Sequence, residues 1–244
     1  MSLQFSDTTN SRGIVQLIDR LVKTNRASYP LADIVTDVNL AMDDALGVIL
    51  KAQGTWQFDD SNHTDYPIIT TNLVSGQRDY TFSGDQNGNL ILEIYKVYVK
   101  DSSGIYQEIL PVDVSTPQET VDTSSFTDGQ NLSGKPYRYD KIANGILLDP
   151  VPNYNSTAGL KIYISREPSY FTTSDTTKKP GFAGIFHQYL AYKAAYQYAL
   201  LNGLSTTQSI LNEVVRLEEA MKAYYSKRTR DERPRMKEMY QNNK

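Results

Sequence analysis

The residue types that most often carry catalysis or bind metals are scarce in this chain. It has two histidines, His63 and His187, and no cysteine, so thiol nucleophiles, disulfides and cysteine-based metal sites are excluded. A histidine without a second one nearby makes a poor zinc site, and no Ser-His-Asp triad can be argued from spacing. We interpret His187, which shares a helix side with Ala191 and Ala194, as a structural or interfacial residue.

Oxygen-rich stretches offer the next kind of chemistry. His63 lies in the acidic run DDSNHTD, residues 59–65, which could hold a hard cation, although such a run is more often a solvated loop. The stretch DQNGN, residues 85–89, is partly similar to a calcium loop. Lys96 stands where the last ligand of such a loop should be acidic, so a tight turn is the favoured interpretation.

Paired carboxylates occur, for example at Asp43-Asp44 and Glu218-Glu219. Glycoside hydrolysis needs two carboxyl groups roughly 5 to 10 Å apart across a cleft, whereas these pairs lie in helical patterns where solvated faces are expected. The sequence also contains neither a P-loop nor a G-x-G-x-x-G motif. We therefore predict a protein that is not an enzyme and that uses no cofactor and no metal.

Charge is distributed unevenly along the chain. The net charge is -3, yet residues 227–244 hold seven basic and three acidic residues, so this tail is +4 and the remainder is -7. An acidic body opposes general duplex binding, which depends on phosphate neutralisation. Met236, Met239 and Tyr240 are interleaved with the basic residues, and this mixture favours docking on a protein partner. Contact of the tail with nucleic acid stays open.

Helical patterns open and close the chain. Ile14, Leu17, Ile18 and Leu21 follow a possible cap at Asn10 or Ser11, and a second helix is expected after Pro30. Its core-facing stripe comprises Leu31, Ile34, Val35, Val38, Ala45 and Ile49. A third helix is expected from Pro180 to the Asn202-Gly203 stop. A fourth, capped by Ser205 or Thr206, has a stripe of Leu211, Val214, Leu217, Met221 and Tyr224.

The middle of the chain has the signature of strands. PIITTNLV and QRDYTF, joined at Ser75-Gly76, read as one hairpin, and LILEIYKVYVK with IYQEILPVDV, joined by DSSG, as a second. Residues 115–133 are polar and read as a long loop. In AGLKIYISREP the apolar residues Leu160, Ile162 and Ile164 alternate, which is typical of a strand.

The stretch GKPYRYDKIANGILLDPVPN, residues 134–153, predicts a third hairpin. Its turn is Asn144-Gly145, and Tyr137 and Tyr139 should share a face. Pro150 and Pro152 cannot donate to a ladder, so we expect pairing to stop there and the chain to leave in a loop. The stretch is interpreted as a shape rather than a reactive centre.

These elements predict an α+β fold. A four-helix group carries an antiparallel β module inserted between its second and third helices, followed by the basic C-terminal tail. The corresponding boundaries are residues 1–58 and 177–226 for a discontinuous helical domain, 59–176 for the β module and 227–244 for the tail. No apolar run approaches the roughly 20 residues of a membrane span, and the N-terminus does not have the pattern of a signal peptide, so no membrane partner is expected.

The order of several weak motifs resembles the head-to-tail adaptor proteins of tailed bacteriophages, also called connector, head-completion or tail tubular proteins. The matching features are Gly134-Lys-Pro136 and Tyr139 followed by ILLDPVP, an N-terminal helix pair followed by Trp56, the stretch HQYLAYKAAYQYAL after Pro180, and LEEAMKAYYSKR before a basic tail. Together they cover roughly residues 10–230. The polar segment 115–133 does not align with the family.

The resemblance implies a structural virion protein. It implies a ring, usually of twelve copies, that is fastened beneath the portal of the capsid and extends the DNA channel toward the tail. The partners implied are the portal protein, tail nozzle or hub proteins and identical copies, while genomic DNA passes without specific binding. The implied location is the head-tail interface, after assembly in the host cytoplasm.

Two sets of site residues follow from this reading. The resemblance implies that the tail docks on the portal through Arg228, Arg230, Arg233, Arg235, Met236, Met239 and Tyr240. The apolar third helix is predicted to contact neighbouring subunits through Phe182, Phe186, Tyr189, Tyr192 and Tyr196. The β module is predicted to face tail components.

Two other functions stay open. The first is a glycan-binding or cell-wall-acting tail module, because the chain has 18 tyrosines and those of the β region could form a sugar platform. The second is a nucleic-acid-binding protein, whose affinity would fall steeply with salt and depend on Arg230, Arg233 and Arg235.

Overall fold

The structure is a computed structural model of the whole chain, and it describes residues 2–52, 68–82, 84, 88, 90–112, 132–142 and 145–226. The helices of this described part are α1 (Ile14–Val22), α2 (Leu31–Ala52), α3 (Gln188–Leu201) and α4 (Thr207–Tyr225). Its strands are β1 (Ile68–Leu73), β2 (Asp79–Thr81), β3 (Ile91–Lys100), β4 (Tyr106–Pro111), β5 (Ser133–Gly134), β6 (Arg138–Ile142), β7 (Gly145–Asp149), β8 (Val151–Pro152) and β9 (Ser156–Arg166). The predicted α+β class is confirmed.

The four helices form one hydrophobic cluster. Their apolar residues recur at helical spacing, so each helix has one face to bury. The predicted stripe of α2 is largely correct: Ile34, Val38, Ala45 and Ile49 are buried, while Leu31 and Val35 pack at its edge. Helix α3 contacts α1, α2 and α4, and its Ala191, Ala194 and Ala195 are buried. Small side chains let three helices approach α3 at once.

The strands form a second hydrophobic cluster. Seven of them make one sheet in the order β1-β9-β3-β4-β6-β7-β2, and β5 and β8 make a separate parallel pair. Neighbouring strands are antiparallel except β4 and β6, which run parallel. The alternation in β9 is confirmed, since Leu160, Ile162 and Ile164 are all fully buried. One face of the sheet therefore carries the core, and the other faces outward.

Two of the three predicted hairpins are confirmed. Strands β3 and β4 pair antiparallel across the turn Asp101–Gly104, in which Gly104 has φ +85°. Strands β6 and β7 pair antiparallel as well; Asn144 lies outside the described residues. Both pairs join strands that are adjacent in sequence, which is the arrangement that local turn signals report.

The hairpin predicted at Ser75-Gly76 is wrong. Gly76 does turn the chain with φ +80°, but β1 pairs with β9 and β2 pairs with β7. The two strands lie at opposite ends of the sheet order. A turn signal specifies a change of direction, whereas the partner of each strand depends on residues distant in sequence.

The exit of the third hairpin differs from the prediction. Strand β8, which contains Pro152, pairs in parallel with β5, and the Val151 amide donates to the Leu132 carbonyl at 2.8 Å. Strand pairing therefore continues past Pro150, because the hydrogen bonds of this pair do not need a proline amide as donor. Tyr137 and Tyr139, predicted to share a face, differ in exposure: Tyr139 is 1% exposed, whereas Tyr137, just before β6, is 57% exposed.

Two helix starts differ from the prediction. Helix α1 begins at Ile14 with Gly13 as its N-cap. A Cβ atom at Gly13 would lie 2.5 Å from the Asp7 amide nitrogen, so this close approach requires glycine. The segment after Pro180 first makes a 3-10 turn, Gly184–Phe186, before α3 starts at Gln188. The predicted stop of α3 is confirmed: Asn202 is its C-cap, and Gly203 follows with φ +61°.

Candidate interaction surfaces

His187 is part of the structural core. Its ring is 1% exposed, with Nε2 2.9 Å from the Phe182 carbonyl oxygen and Nδ1 3.0 Å from the Leu3 amide nitrogen and 2.9 Å from the Leu3 carbonyl oxygen. A neutral ring that donates from Nε2 to the Phe182 carbonyl and accepts at Nδ1 from the Leu3 amide satisfies two of these three contacts. Burial lowers the pKa of His187. The ring therefore fastens the N-terminal segment to the start of α3. His63 lies outside the described residues.

The carboxylate pairs named from the sequence are held in side-chain networks. Asp43 accepts a hydrogen bond from the Tyr170 hydroxyl at 2.6 Å. Glu218 accepts one from Tyr189 at 2.9 Å and lies 3.8 Å from Lys193 Nζ, which is 3.0 Å from Asp44. Burial raises the pKa of the Tyr189 hydroxyl, which stays a donor. These carboxylates connect α2, α3 and α4.

A groove of about 460 Å³ opens beside β3, β6 and β7. Aliphatic and aromatic side chains dominate its lining, among them Leu90, Leu92 and Ile142, and all three are at least one-third exposed. Glu93 and Glu167 also line it. Within the described ranges no group of three or more His, Cys, Asp or Glu could hold a metal ion. A groove with this lining offers mainly apolar contacts to a bound molecule.

The predicted subunit contacts on α3 divide into two groups. Phe182, Phe186 and Tyr189 are 0–6% exposed inside the chain's own helical cluster. Tyr192 and Tyr196 are partly buried at its edge. In this fold the first three stabilise the chain's own helical cluster, and only the last two keep exposed area.

The apolar residues that α3 does expose stand at its C-terminal end. Leu201 is 82% exposed and Leu200 is 54% exposed. Two adjacent leucines can both be exposed there because α3 ends at Asn202 and the chain turns away. The sequence alone did not single them out, since they continue an apolar run that reads as core.

The predicted docking tail, residues 227–244, lies outside the described residues, as do Arg228, Arg230, Arg233, Arg235, Met236, Met239 and Tyr240. What the structure describes is the end from which the tail departs. Helix α4 ends at Tyr225, whose buried hydroxyl accepts a hydrogen bond from the Ala183 amide at 3.0 Å. Tyr224 contacts Phe186 edge-on with ring centroids 5.4 Å apart. The end of α4 is therefore fastened to the segment before α3.

The outward side of the sheet carries a second surface, which we call the tyrosine–lysine face. It is formed by alternate residues of β3, β4 and β9: Lys96, Tyr98, Lys100, Tyr106, Lys161 and Tyr163. The strand register places Lys96 beside Tyr163, Tyr98 beside Lys161 and Lys100 beside Tyr106. Alternation with the buried Val97 and Val99 was the signal in the sequence that could have identified it.

Contacts within this face keep its side chains ordered. Lys161 Nζ lies 4.0 Å and Lys100 Nζ 5.0 Å from the centroid of the Tyr106 ring. The ring centroids of Tyr98 and Tyr163 are 5.5 Å apart, and the two ring planes are inclined at 59° to each other. Glu108 accepts from Tyr98 at 3.1 Å and lies 3.7 Å from Lys96. With three lysines in the face and Glu108 beside it, this surface is locally positive on a chain that is acidic overall.

No family model matches the chain, and no curated protein matches it. Among the helices of the described part, none has the length and apolar character to cross a membrane.

Proposed function

We propose that this chain is a structural virion protein, the subunit of a head-to-tail adaptor ring that docks under the portal of a tailed bacteriophage and extends the DNA channel toward the tail. The proposal combines the motif order described above with a finer arrangement of the fold, namely a helical domain, an inserted β module and a C-terminal docking tail. Identical copies, portal and tail proteins are the partners.

One observation carries the proposal: large apolar side chains lie exposed on both parts of the molecule. Leu201 is 82%, Leu110 67% and Ile105 61% exposed. Apolar residues exposed singly are common on soluble proteins, whereas the adjacent pair Leu200 and Leu201 offers area that a neighbouring subunit would cover. A standard interface buries about 800 Å² per partner. Association costs are of similar size to the gain from such an area, so free chains are expected to associate weakly and to close the ring on the portal template.

The test is binding to the portal of the phage whose genome encodes this chain. Full-length protein should cap portal rings in negative-stain images, and a chain lacking residues 227–244 should not. The matched control is Leu201→Ser with Leu200→Ser, which keeps the tail and should dock singly but fail to close a ring. Normal ring assembly by the truncated chain would disprove the tail's role, and absence of any portal binding would disprove the proposal.

A glycan-binding tail module is the second candidate, favoured by the tyrosines of the tyrosine–lysine face. Sugar rings stack on open aromatic faces, but Lys161 lies over Tyr106, and Tyr98 is tilted against Tyr163. Saturable binding to bacterial polysaccharide that Tyr98→Ala abolishes would support this candidate. Titrations with polysaccharide that show no binding would disprove this candidate.

A further inference from the structure

We propose that the tyrosine–lysine face of one copy receives an acidic stripe on α2 of the next copy, so that the two surfaces form the lateral contact between subunits. This inference rests on the proposed ring and names the two faces that would build it. We call the second surface the acidic stripe and define it as Asp33, Asp37, Leu40 and Asp44.

The acidic stripe lies along one side of α2. Residues four and seven apart share a helix face, which places Asp33, Asp37, Leu40 and Asp44 in a line, and Lys51 ends the acidic run. Leu40 is 52% exposed, and the Asp44 side chain is 51% exposed although it also pairs with Lys193. The stripe is thus an exposed leucine flanked by carboxylates, of which Asp37 is partly buried and also accepts a hydrogen bond from the Tyr29 hydroxyl.

The two surfaces match in sign and in length. From Asp33 to Asp44 the helix rises about 16 Å at ~1.5 Å per residue. From Lys96 to Lys100 strand β3 extends about 13 Å at ~3.3 Å per residue, and Lys161 lies on the adjacent strand. The lysines can therefore meet carboxylates spaced along the helix, while Leu40 contacts the tyrosine rings between them.

A second copy explains the face better than nucleic acid does. The chain without its tail carries -7, so phosphates approaching the face meet a repulsive body. Bases need open, parallel ring faces to stack on, whereas Lys161 lies over Tyr106 and the Tyr98 and Tyr163 planes differ by 59°. A copy of the chain brings both the carboxylates and the leucine. A contact between two different surfaces of identical copies is heterologous, and heterologous contacts are the kind that can close into a ring.

The test is a charge exchange between two variants. The first variant carries Lys96→Glu and Lys161→Glu, and the second carries Asp33→Lys and Asp44→Lys. In each variant alone, the altered surface carries the same sign of charge as the surface that it would contact. Self-association of each variant should therefore weaken at least about tenfold. In an equimolar mixture, one contact is the natural pair and the other is the reversed pair, so association should recover. Sedimentation velocity over a concentration series at low salt measures all three samples beside the natural chain.

The outcomes separate this inference from the proposed function. Loss in each variant with recovery in the mixture supports the contact. No recovery in the mixture, unchanged association in either variant, or no association of the natural chain overturns it. Loss of single-stranded DNA binding by the first variant, with association unaffected, assigns the face to nucleic acid. Portal docking through the tail is assayed independently and can hold or fail in each case. Matched circular dichroism spectra confirm that the variants fold.

A second measurement uses the absence of cysteine in the natural chain. Leu40→Cys in one preparation and Glu108→Cys in another each introduce a single thiol, on the stripe and beside the face. A short bis-maleimide should cross-link the mixture to a heterodimer more than it cross-links either preparation alone. Equal yields in the three samples would count against the contact.

Discussion

At the scale of single residues, buried polar groups hold distant segments together. His187 joins the N-terminal segment to α3, and Asp149, 2% exposed, joins two strands through Arg138 at 2.6 Å and Arg78 at 3.7 Å. A buried polar group stabilises a fold only while its partners are present. Both residues therefore act as structural connections rather than as reactive groups.

The first prediction concerns the pH dependence of stability. Burial lowers the pKa of His187 below its ordinary value of about 6.5, so below that pH the unfolded chain binds a proton more readily than the folded chain. The contribution of His187 to the free energy of unfolding should reach its full value above about pH 6.5 and should fall as the pH drops toward the lowered pKa. Lys179 nearby adds to the effect.

Urea unfolding between pH 5.5 and 7.5 measures this slope, and His187→Gln is the comparison. The variant should show a flatter dependence because it removes the group that titrates in this window. Equal slopes for the two proteins would show that another group is responsible.

The second prediction concerns Asp149. Asp149→Ala leaves two largely buried guanidinium groups without their carboxylate, and we expect a loss of about 3 kcal/mol in the free energy of unfolding. The control is Asp19→Asn, which removes an exposed pair with Arg26 and should cost less than about 1 kcal/mol. Chemical unfolding measures both. Equal losses would contradict a special role for the buried carboxylate.

At the scale of elements, the N-terminal segment before α1 behaves as part of the helical cluster. The Phe5 amide donates to the Lys178 carbonyl at 2.7 Å, and the Phe5 carbonyl accepts from the Val15 amide at 3.1 Å. Its ring is fully buried and stacks on Phe171 with centroids 4.8 Å apart. This segment joins α1 to the chain that returns from the sheet.

The third prediction tests that junction. Phe5→Ala removes a fully buried ring and should lower the free energy of unfolding by about 3 to 5 kcal/mol. Thr9→Ala, in the same segment but exposed, should stay within ~0.5 kcal/mol of the natural chain. Thermal and denaturant unfolding compare them. A loss below 1 kcal/mol for Phe5→Ala would mean that the segment is dispensable.

At the scale of the whole molecule, the described part has two hydrophobic clusters, one helical and one within the sheet. The chain enters the sheet on β1 and leaves it on β9, and these strands are paired, with Ile68 opposite Tyr163. Adjacent ends are the usual geometry of a module inserted into another domain. In the ring that we propose, this arrangement would let the helical part and the sheet meet different partners.

The fourth prediction follows from that geometry. A fragment of residues 66–168 contains the complete sheet cluster and should fold by itself with a β-type circular dichroism spectrum and cooperative unfolding. A fragment that stops at residue 155 lacks β9, the central partner of β1 and β3, and should not fold. Failure of the longer fragment would show that the sheet depends on the helices.

The sequence by itself determined what depends on neighbours along the chain. Helical spacing in α2, the alternation in β9, the Gly203 stop and the two local hairpins all follow from residues a few positions apart. The motif order that suggests an adaptor was also visible without coordinates.

Only the tertiary structure decided which distant elements meet. It separated β1 from β2, buried Phe182, Phe186 and Tyr189 inside the subunit, and brought lysines of β3 and β9 onto one face. The physical reason is that the pairing of a strand and the covering of a helix depend on long-range packing. A local pattern indicates that one side of an element must be buried, but not which other element covers it.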